Sequence, residues 1–411
     1  MRALVLGYGR SGKAAEALLK EQGTEVVVLA DDKQDKLGDG NFDFAVVSPG
    51  IALTHPWAIE AKRRGIPLKS ELQLGCEELK RRGWKLLAVT GSKGKSSVVK
   101  VVADAINLAG MRAVACGNYG VPVSEVANSN TQALQDSNTG RWAVVEVSSF
   151  MMETTELPFD TFEAAAILNL QEDHLDRHGN VKVYHGLKRK LLSFAVRNFV
   201  NDGTSTDQRV NGPADQVWRG SYFDNEILAG NAAIAVELMR VAGLDDAKIA
   251  AAFKMFEPLP HRMNLIAEIG GVRYIDDSKA TSLAALIAGV KMALTGIQKL
   301  KHSNAQTILL IAGGLPKGDD PKTALATLTE RVKKVYLIGQ SAEAFFAAWN
   351  GAVDCEICGT MERAVEKAKR EAEKGETVLL SPGTASFDQF KSYGERGEVF
   401  ARLVKEKGQP K

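Results

Sequence analysis

The sequence predicts an α/β protein of three domains, each built around a parallel sheet. Short runs of β-branched residues alternate with helical patterns along the chain, which is typical of this architecture. A strand, a glycine-rich loop and a helix also follow one another three times, near residue 1, near Leu86 and after His261–Asp277. We therefore expect a Rossmann-like N-terminal domain, a central P-loop-type mononucleotide-binding domain and a Rossmann-like C-terminal domain. Their predicted bounds are 1–85, 86–259 and 260–411.

The strands of these sheets are predicted from short apolar runs that stop at turn-forming residues. In chain order they are Ala3–Leu6, Val26–Leu29, Ala45–Val47, Leu86–Thr90, Ala143–Val147, Ala165–Leu168, Ile308–Ile311, Lys334–Ile338 and Thr377–Leu380. Many of them end at Gly, Ser, Thr or Asp. Since a doubly wound sheet places its ligand-binding loops at the carboxyl ends of its strands, we expect the functional residues there.

Composition narrows the classes of function. The chain has 411 residues, and 52 Lys and Arg against 50 Asp and Glu give a net charge of +2. Because no basic excess remains for phosphates, this balance argues against nucleic-acid and membrane-surface partners. The 38 glycines against 12 prolines favour many tight turns between strands and helices.

Cysteine usage and hydropathy predict a cytoplasmic protein. Four cysteines are too few for the disulfide framework of a secreted domain. Cys355 and Cys358 have CxxC spacing without a second pair, so we interpret them as structural thiols, with a redox or metal role as the alternative. No run of about 18 uncharged apolar residues is available to span a bilayer, and the apolar N-terminal run is too short for a signal peptide.

The first glycine loop predicts a diphosphate site. Gly7-Tyr-Gly-Arg-Ser-Gly12 follows a strand and opens a helix, and Asp31 and Asp32 close the next strand about 20 residues later. Glycines allow backbone N–H groups to approach a diphosphate, which a helix N-terminus favours electrostatically. A nicotinamide dinucleotide, or glycines that serve only helix packing, are the alternatives. Ser48-Pro-Gly-Ile51 ends the third strand and predicts a second anion-facing loop.

The second glycine loop predicts a nucleotide phosphate site. Leu86–Ser97 reads as a strand, a glycine turn, and a lysine and a serine that open a helix. Backbone amides of such a turn can cradle phosphates, Lys95 can reach the β and γ oxygens, and the Ser96 hydroxyl can ligate Mg²⁺. The loop is shorter than the common P-loop, since Val89 stands where that motif has glycine. A surface turn that carries lysines is the alternative.

Further motifs follow in chain order up to residue 397. They are Gly117-Asn-Tyr-Gly-Val-Pro122, Glu146-Val-Ser-Ser-Phe-Met-Met-Glu153, Ile167-Leu-Asn-Leu-Gln-Glu-Asp-His-Leu-Asp-Arg177, Leu259-Pro-His-Arg262, Asp276-Asp-Ser-Lys-Ala-Thr281 and Leu380–Gly397. Together with the two glycine loops they cover almost the whole chain and resemble the motifs of the Mur ligases, the ATP-dependent amide ligases of peptidoglycan synthesis. Glu-x-Ser-Ser-Phe and Ser-Phe-Asp-Gln-Phe resemble the branch that adds D-glutamate, MurD.

The resemblance implies a two-step reaction without a protein nucleophile. ATP would phosphorylate the carboxylate of UDP-N-acetylmuramoyl-L-alanine, and the amine of D-glutamate would attack the acyl phosphate to form the amide. Catalysis would consist of positioning and charge neutralisation around a phosphoryl group. The resemblance further implies ATP and two Mg²⁺ ions, and a part in cell-wall biogenesis, cell shape and cell division.

The resemblance also implies roles for the catalytic residues. Lys95 would contact the transferring phosphate, Ser96 and Glu146 would ligate one Mg²⁺, and His174 would ligate a second. Chemistry alone favours a carboxylate such as Asp173 over a histidine, since Mg²⁺ prefers oxygen ligands.

Lys188 matches a carbamoylated lysine of the family, four residues beyond a tyrosine, as in Tyr184-His-Gly-Leu-Lys188. A free ammonium would be repelled by the metal ions, whereas CO₂ added to the neutral amine creates a carboxylate that can bind them. The connection from His174 is one residue short, so a shift of register onto Arg189 or Lys190 is one alternative. An ordinary solvated lysine is the other.

The remaining site residues are assigned by class from the same resemblance. The ATP set is Gly91, Ser92, Lys93, Gly94, Lys95, Ser96, Ser97, Asn231, Arg262 and Asp277. The UDP-sugar set is Gly9, Arg10, Ser11, Asp31, Ser48, Pro49, Gly50 and Asn118. The amino-acid set is Lys279, Thr281, Lys317, Ser386 and Tyr393, in which cations and hydroxyls suit a dicarboxylate.

The chain departs from the family at several of its motifs. Leu228-Ala-Gly-Asn231 keeps only the last Asn of the family's H-N-x-x-N segment, and Tyr393 replaces a usual Phe. Two other functions stay open: a related Mur or folylpolyglutamate-type ligase for a different amino acid, and a non-catalytic nucleotide-binding regulator. In each case we expect a monomer that binds small molecules, with neither nucleic acid nor membrane as a partner.

Overall fold

The structure, a computed structural model, describes residues 1–30, 37–128, 140–201, 217–225, 227–295 and 307–406. The chain divides into two units, Met1–Phe256 and Glu257–Lys411, close to the boundary predicted at residue 260. Two sheets lie in the first unit and one in the second, and helices alternate with the strands in each. The α/β fold class is therefore confirmed, whereas a domain boundary at residue 85 remains an expectation.

A four-stranded parallel sheet forms the N-terminal part of the first unit. Its elements are β1 (Arg2–Leu6), α1 (Arg10–Glu21), β2 (Glu25–Leu29), β3 (Phe44–Val47), α2 (Pro56–Arg63), β4 (Leu68–Ser70) and α3 (Glu71–Arg81). The strand order is β2-β1-β3-β4. Alternation along β1 buries Leu4 and Leu6 against Trp57 of α2, while Ala3 and Val5 face a second core. The three strands predicted here are present.

A five-stranded parallel sheet forms the rest of the first unit. Its elements are β5 (Lys85–Thr90), α4 (Lys95–Leu108), β6 (Arg112–Gly117), α5 (Val123–Asn128), β7 (Arg141–Glu146), α6 (Ser149–Met152), β8 (Ala164–Ile167), α7 (Leu175–His178), α8 (Val181–Lys190), a 3-10 turn (Leu191–Phe194), β9 (Asn198–Val200), α9 (Ala229–Val241) and α10 (Asp246–Met255). The strand order is β6-β7-β5-β8-β9, so the predicted phosphate loop leaves the central strand.

A six-stranded sheet forms the second unit. Its elements are β10 (Asn264–Ile269), β11 (Val272–Asp276), α11 (Leu283–Thr295), β12 (Ile308–Gly313), a 3-10 turn (Pro321–Ala324), α12 (Leu325–Arg331), β13 (Val332–Ile338), α13 (Ala342–Trp349), β14 (Asp354–Gly359), α14 (Met361–Glu371), β15 (Thr377–Leu380) and α15 (Tyr393–Lys405). The order is β10-β11-β15-β12-β13-β14. β10 pairs antiparallel with β11, which corrects the expectation of a wholly parallel sheet. Cys355 and Cys358 are buried in β14, as expected of structural thiols.

Side-chain caps fix the starts of the two helices that matter most below. Asn180 Oδ1 accepts a hydrogen bond from the Val183 N–H at 2.9 Å where α8 begins. Ser392 Oγ accepts one from the Glu395 N–H at 3.1 Å where α15 begins. Such caps satisfy otherwise unpaired amides of the first turn. Within the described ranges, the helices are too short or too polar to span a membrane.

Candidate active site

The phosphate loop between β5 and α4 has a backbone that requires its glycines. Gly91 and Gly94 have φ angles of +150° and +84°, in the region that side chains disfavour. A Cβ at Gly94 would overlap the side-chain amide of Asn231, so this predicted ATP residue lies directly against the loop. Asn169 pins the other side of the loop, since its side chain accepts from the Lys93 N–H at 2.8 Å and donates to the Lys93 carbonyl at 2.9 Å.

Two lysines converge on one carbonyl of this loop. Lys95 Nζ and Lys188 Nζ each donate to the Gly91 carbonyl oxygen at 2.9 Å, and Lys95 also donates to the Ser92 carbonyl at 3.2 Å. Lys188 is buried, with 2% of its surface exposed. Burial, and then the charge of Lys95, lower the pKa of Lys188 to about 7. A lysine in this position is partly neutral at physiological pH and can react as an amine.

Lys188 differs from the two cations that follow it in α8 in its burial and its contacts. Its Nζ lies 4.6 Å from the centroid of the Tyr184 ring, one turn earlier in α8. The Tyr184 hydroxyl in turn donates to Ser92 Oγ at 3.2 Å. Arg189 is exposed, and Lys190 forms an ion pair with Glu156 at 2.5 Å. The structure thus directs Lys188, rather than either adjacent cation, towards the phosphate loop.

Glu146, at the end of β7, has one occupied and one unpartnered carboxylate oxygen. Oε1 accepts from the Asn118 side chain at 2.7 Å. Oε2 is buried and has no hydrogen-bond partner among the residues that the structure describes. An unpartnered buried carboxylate oxygen is costly unless a ligand or ion uses it. Glu146 therefore offers one oxygen to a cation.

The donors around this oxygen suit Mg²⁺ better than a metal that needs a full protein cage. Within the described part of the chain, three or more His, Cys, Asp or Glu side chains nowhere come together as a metal site. Mg²⁺ commonly binds through one or two carboxylates and completes its shell with water and substrate phosphates. The unpartnered Glu146 oxygen fits that pattern, and Ser96, the other ligand predicted for this ion, lies in the first turn of α4.

His174 lies at the start of α7 in a strained backbone conformation. Its φ angle is +52°, in the left-handed region, and it is the residue before the first helical position. Its imidazole is half-exposed, 3.7 Å from an Asp173 carboxylate oxygen and 4.8 Å, between ring centroids, from Phe150. Strain of this kind at a non-glycine residue persists where the surroundings impose it, and it concentrates at functional sites.

Three further rings, to which the sequence motifs assign no role, lie in one group with His174. We define the ring cluster as Phe150, His174, His178 and Tyr184. His178 stacks on Tyr184 at 5.6 Å between centroids, and its Nε2 lies 3.0 Å from Ser149 Oγ. Burial lowers the pKa of His178. The motif Glu-x-Ser-Ser-Phe was the available signal for Phe150; its packing on the two histidines could not be inferred from one sequence.

A cavity of about 520 Å³ opens beside the first glycine loop. The predicted UDP-sugar residues that line it are Gly9, Arg10, Ser11, Ser48, Pro49, Gly50 and Asn118. Asp31, the remaining member of that set, lies outside the described residues. Arg10 Nη2 donates to the Gly120 carbonyl at 3.1 Å and Ser48 Oγ donates to the Gly7 carbonyl at 2.8 Å, which closes the rim. Tyr8, Ile51 and Met151 also line the cavity and were not predicted to do so.

Two contacts connect this cavity to the residues around the phosphate loop. Asn118 lines the cavity and bonds Glu146 Oε1, as described above. Arg177, three residues after His174, donates to the Ile51 carbonyl at 2.9 Å and pairs with Glu153 at 2.6 Å. The cavity is therefore bonded to Glu146 through Asn118, and to the segment that follows His174 through Ile51 and Arg177.

In the second unit, the predicted amino-acid residues lie on loops at the carboxyl ends of strands. Lys279 Nζ, after β11, lies 3.7 Å from the centroid of the Tyr393 ring. Ser386, after β15, is buried, and Lys317, after β12, is exposed. The loops after β12 and β15 are paired, because Leu315 and Ala385 exchange backbone hydrogen bonds at 2.9 and 3.1 Å.

The predicted ATP residues of the second unit lie next to its first two strands, Arg262 before β10 and Asp277 directly after β11. Arg262 is between His261 and Met263, which have φ angles of +62° and +53°. Asp277 is buried and accepts from Ser381 Oγ at 2.9 Å. Burial raises the pKa of Asp277 to about 7, against the opposing effects of that hydrogen bond and of Arg262.

Comparison with known proteins finds relatives of this chain over almost its whole length. Two family models match the chain, the Mur ligase middle domain over residues 89–212 and the Mur ligase glutamate ligase domain over residues 261–383. The UDP-N-acetylmuramoylalanine–D-glutamate ligase of Chlamydia abortus is 32% identical over 98% of this chain and 98% of its own length. The protein of the same name from Francisella philomiragia is 32% identical over 98% of this chain and 97% of its own. Among solved structures, the UDP-N-acetylmuramate–alanine ligase MurC from Thermotoga maritima has a TM-score of 0.58 at 16% identity, with 98% of both chains covered.

Proposed function

The chain belongs to the Mur ligase family, and we propose that it joins D-glutamate to UDP-N-acetylmuramoyl-L-alanine in an ATP-dependent reaction. The observation that carries this proposal is the contact between Asn118, which lines the cavity, and Glu146, whose second oxygen is unpartnered. From that contact we infer that a bulky substrate would bind next to a cation ligand and the phosphate loop. An acceptor carboxylate delivered by the cavity would meet the terminal phosphate there.

The phosphate loop is proposed to bind ATP. Backbone N–H groups between Gly91 and Ser97 would surround its phosphates, and Lys95 would turn from the Gly91 and Ser92 carbonyls to the transferring phosphoryl group. Asn231, against Gly94, would contact the nucleotide. For the second unit, taken by itself, we assign Arg262 and Asp277 to ATP binding, as the resemblance of the sequence motifs implies.

The metal ligands are proposed to be Ser96, Glu146, His174 and the carbamate of Lys188. Mg²⁺, when bound, neutralises negative charge on phosphate and acyl phosphate oxygens. The neutral Lys188 amine would attack the carbon of CO₂: the N–C bond forms as one C–O π bond breaks and its electron pair moves to oxygen. The adduct nitrogen then loses one N–H proton to solvent, which leaves the carbamate. The low pKa of Lys188 supplies that neutral amine.

The reaction requires correctly positioned substrates rather than a nucleophile from the protein. The acceptor carboxylate oxygen attacks the γ-phosphorus of ATP and ADP leaves; the amine of D-glutamate then attacks the acyl carbon and inorganic phosphate leaves. The proposed residues around D-glutamate are Lys279, Thr281, Lys317, Ser386 and Tyr393. Cations and hydroxyls of this kind can bind two carboxylates at fixed separation, which converts the second attack into an intramolecular step.

The sequence domains 1–85, 86–259 and 260–411 are proposed to divide this work. The first would bind the UDP-sugar, the second ATP, and the third ATP and the amino acid. We place the reaction in the cytoplasm, where ATP and UDP-linked sugars are available, and propose a monomer that acts on small molecules only.

An amino-acid-dependent phosphate-release assay tests the proposal. Purified protein with ATP, Mg²⁺ and UDP-N-acetylmuramoyl-L-alanine should release phosphate when D-glutamate is added. L-glutamate and meso-diaminopimelate should give at most a small fraction of that rate. Phosphate release only with another amino acid, or only with a folate acceptor, would reject the D-glutamate assignment. Tight NADH binding that UDP does not displace would instead favour a regulatory nucleotide-binding protein.

A further inference from the structure

Arg396, in the first turn of α15, is wholly buried at 0% exposure. Its guanidinium donates four hydrogen bonds. Nε donates to Ser278 Oγ at 3.0 Å, Nη2 to the carbonyls of Ser278 at 2.9 Å and Thr384 at 3.2 Å, and Nη1 to the Ala385 carbonyl at 3.2 Å. Within the described residues, no carboxylate comes within ion-pair distance of it. A buried arginine normally has such a partner, so these backbone acceptors define what this one does.

The nearest acids, Asp276 and Asp388, form their hydrogen bonds with other donors, and among the described residues Asp388 Oδ1 is buried without a partner. Asp276 bonds to His261 at 2.7 Å through one oxygen and accepts the Ser278 N–H at 2.8 Å through the other. Asp388 accepts the Gln340 N–H at 3.0 Å. Burial lowers the pKa of Arg396 to about 10, so the side chain stays charged at neutral pH. The charge is held in place by loop carbonyls and by one hydroxyl.

These acceptors belong to two of the loops that hold the proposed amino-acid site. Ser278 directly precedes Lys279 in the loop after β11, and Ala385 directly precedes Ser386 in the loop after β15. Ser278 Oγ also donates to the Tyr393 backbone carbonyl at 2.8 Å. Arg396 is therefore bonded directly to the loops that carry Lys279 and Ser386, and through Ser278 to the backbone of Tyr393.

We propose that Arg396 is a positioning residue for the incoming amino acid, a role that rests on the function proposed above. Its planar fork of donors fixes the loop after β11 relative to the loop after β15. Lys279 and Ser386 then stand at the separation that the two carboxylates of a dicarboxylate need. A lysine at residue 396 keeps the charge but offers a single nitrogen on a flexible stem, so it cannot hold both loops in the same geometry.

The experiment compares Arg396→Lys with Arg273→Lys in the full chain. Arg273 is the control, because it is half-buried in the second unit and its Nη2, like that of Arg396, donates to a backbone carbonyl, that of Ala293 at 2.9 Å. It lies at the opposite end of β11 from Ser278. Phosphate-release kinetics give the KM for D-glutamate, ATP and UDP-N-acetylmuramoyl-L-alanine separately, and kcat at saturation.

We expect Arg396→Lys to raise the KM for D-glutamate about tenfold, because a shift of about 1 Å in a positioned group has effects of this size or larger. The two other KM values should stay within about twofold, as should all three in Arg273→Lys. An unchanged KM for D-glutamate in folded Arg396→Lys would overturn the proposal. So would an equal change in all three KM values, which would indicate a purely structural role.

A second variant keeps the test decisive if Arg396→Lys fails to fold. Ser278→Ala deletes the Nε acceptor and the bond from Ser278 Oγ to the Tyr393 carbonyl but leaves the three carbonyl bonds of Arg396, and we expect a selective rise of about threefold in the KM for D-glutamate. A wild-type KM for D-glutamate in this variant would then overturn the proposal. Absence of D-glutamate-dependent phosphate release in the wild-type protein is a separate result, since it rejects the proposed function and this inference with it.

Discussion

A lysine in the first unit and an arginine in the second are both buried, and the protein holds them in different ways. Lys188 is 2% exposed and donates to the Gly91 carbonyl oxygen, which Lys95 also uses. Arg396 is 0% exposed and has four acceptors on three residues. Burial lowers the pKa of both, that of Lys188 to about 7 and that of Arg396 to about 10.

The difference follows from the chemistry of the two groups. An ammonium is a compact charge that loses its proton readily when it is buried beside another cation. A guanidinium spreads its charge over a planar fork and keeps its proton, so it can serve several acceptors at once. The first region thus holds a lysine that can become a neutral nucleophile, and the second holds a permanent charge that fixes loops.

The most severe test of this comparison is Lys188→Arg. Arginine keeps the positive charge and forms no carbamate, so we expect phosphate release to fall at least about 1,000-fold, equivalent to about 4 kcal/mol. Steady-state phosphate release at saturating substrates measures the loss. Lys182→Arg is the matched control, since Lys182 is exposed on the same helix, and it should keep the wild-type rate within about twofold.

Lys188→Ala distinguishes the loss of a carbamate from the loss of the fold. Acetate or formate should restore part of its activity by supplying a carboxylate in the space left open. Native mass spectrometry of the wild-type protein should show an adduct of about 44 Da, the mass of CO₂, at Lys188. A fully active Ala variant would refute a catalytic role for this residue.

The next largest effect concerns stability in the second unit. Arg396→Met removes four hydrogen bonds and leaves three carbonyls and a hydroxyl in an apolar space, so we expect a loss of about 3 kcal/mol in the free energy of unfolding. Urea unfolding measures it. Arg402→Met on the exposed face of α15 should change stability by less than about 0.5 kcal/mol. Equal stability of the two variants would show that the four bonds of Arg396 contribute nothing net.

Lys188 and Arg396 should also differ in how the free energy of unfolding depends on pH. The pKa of Lys188 is about 7 in the folded protein, against an ordinary value of 10.5, so between these values the unfolded chain binds more protons. Native stability therefore rises with pH across that window, and the cost of burying the charged lysine is greatest below pH 7. In CO₂-free buffer, Lys188→Met should stabilise the protein most at pH 6, and the gain should shrink by about 2 kcal/mol by pH 9.

Arg396→Met provides the internal comparison for this experiment. Because the pKa of Arg396 remains about 10, its effect on stability should be nearly constant between pH 6 and pH 9. Urea unfolding at both pH values gives both numbers. A constant effect for Lys188→Met would contradict the view that Lys188 gives up its proton.

Much of the fold could be predicted because the central strands carry their own signal. Leu86–Thr90 and Ile308–Ile311 are continuous apolar runs, as strands buried on both faces must be, and both are present. Leu68–Ser70 and Asn198–Val200 are only three residues long and were missed. Val272–Asp276 was not predicted as a strand because its charged residues, Arg273 and Asp276, interrupt the apolar run, although most of its side chains are buried.

The candidate site could be predicted where a loop carries all its residues, as in Gly91–Ser97. Contacts between distant segments could not be. Lys95 and Lys188 are far apart in sequence, and only folding brings both amines to the Gly91 carbonyl. Arg396 lies within the Leu380–Gly397 motif, but an arginine in a charged amphipathic helix is usually solvated, so no role was predicted for it. Its role became visible only with its burial and its four acceptors.

The smallest expected effect concerns Tyr393, which the sequence marks as a replacement for phenylalanine. Lys279 Nζ lies 3.7 Å from the ring centroid, and Ser278 Oγ bonds the backbone carbonyl of Tyr393. Tyr393→Phe keeps both contacts, so the KM for D-glutamate should stay within about twofold, or less than about 0.5 kcal/mol. Tyr393→Leu removes the ring and should raise that KM about fivefold. A tenfold change in the KM of Tyr393→Phe for D-glutamate would mean that the hydroxyl binds the amino acid. Arg396 would then position a polar contact rather than an aromatic one.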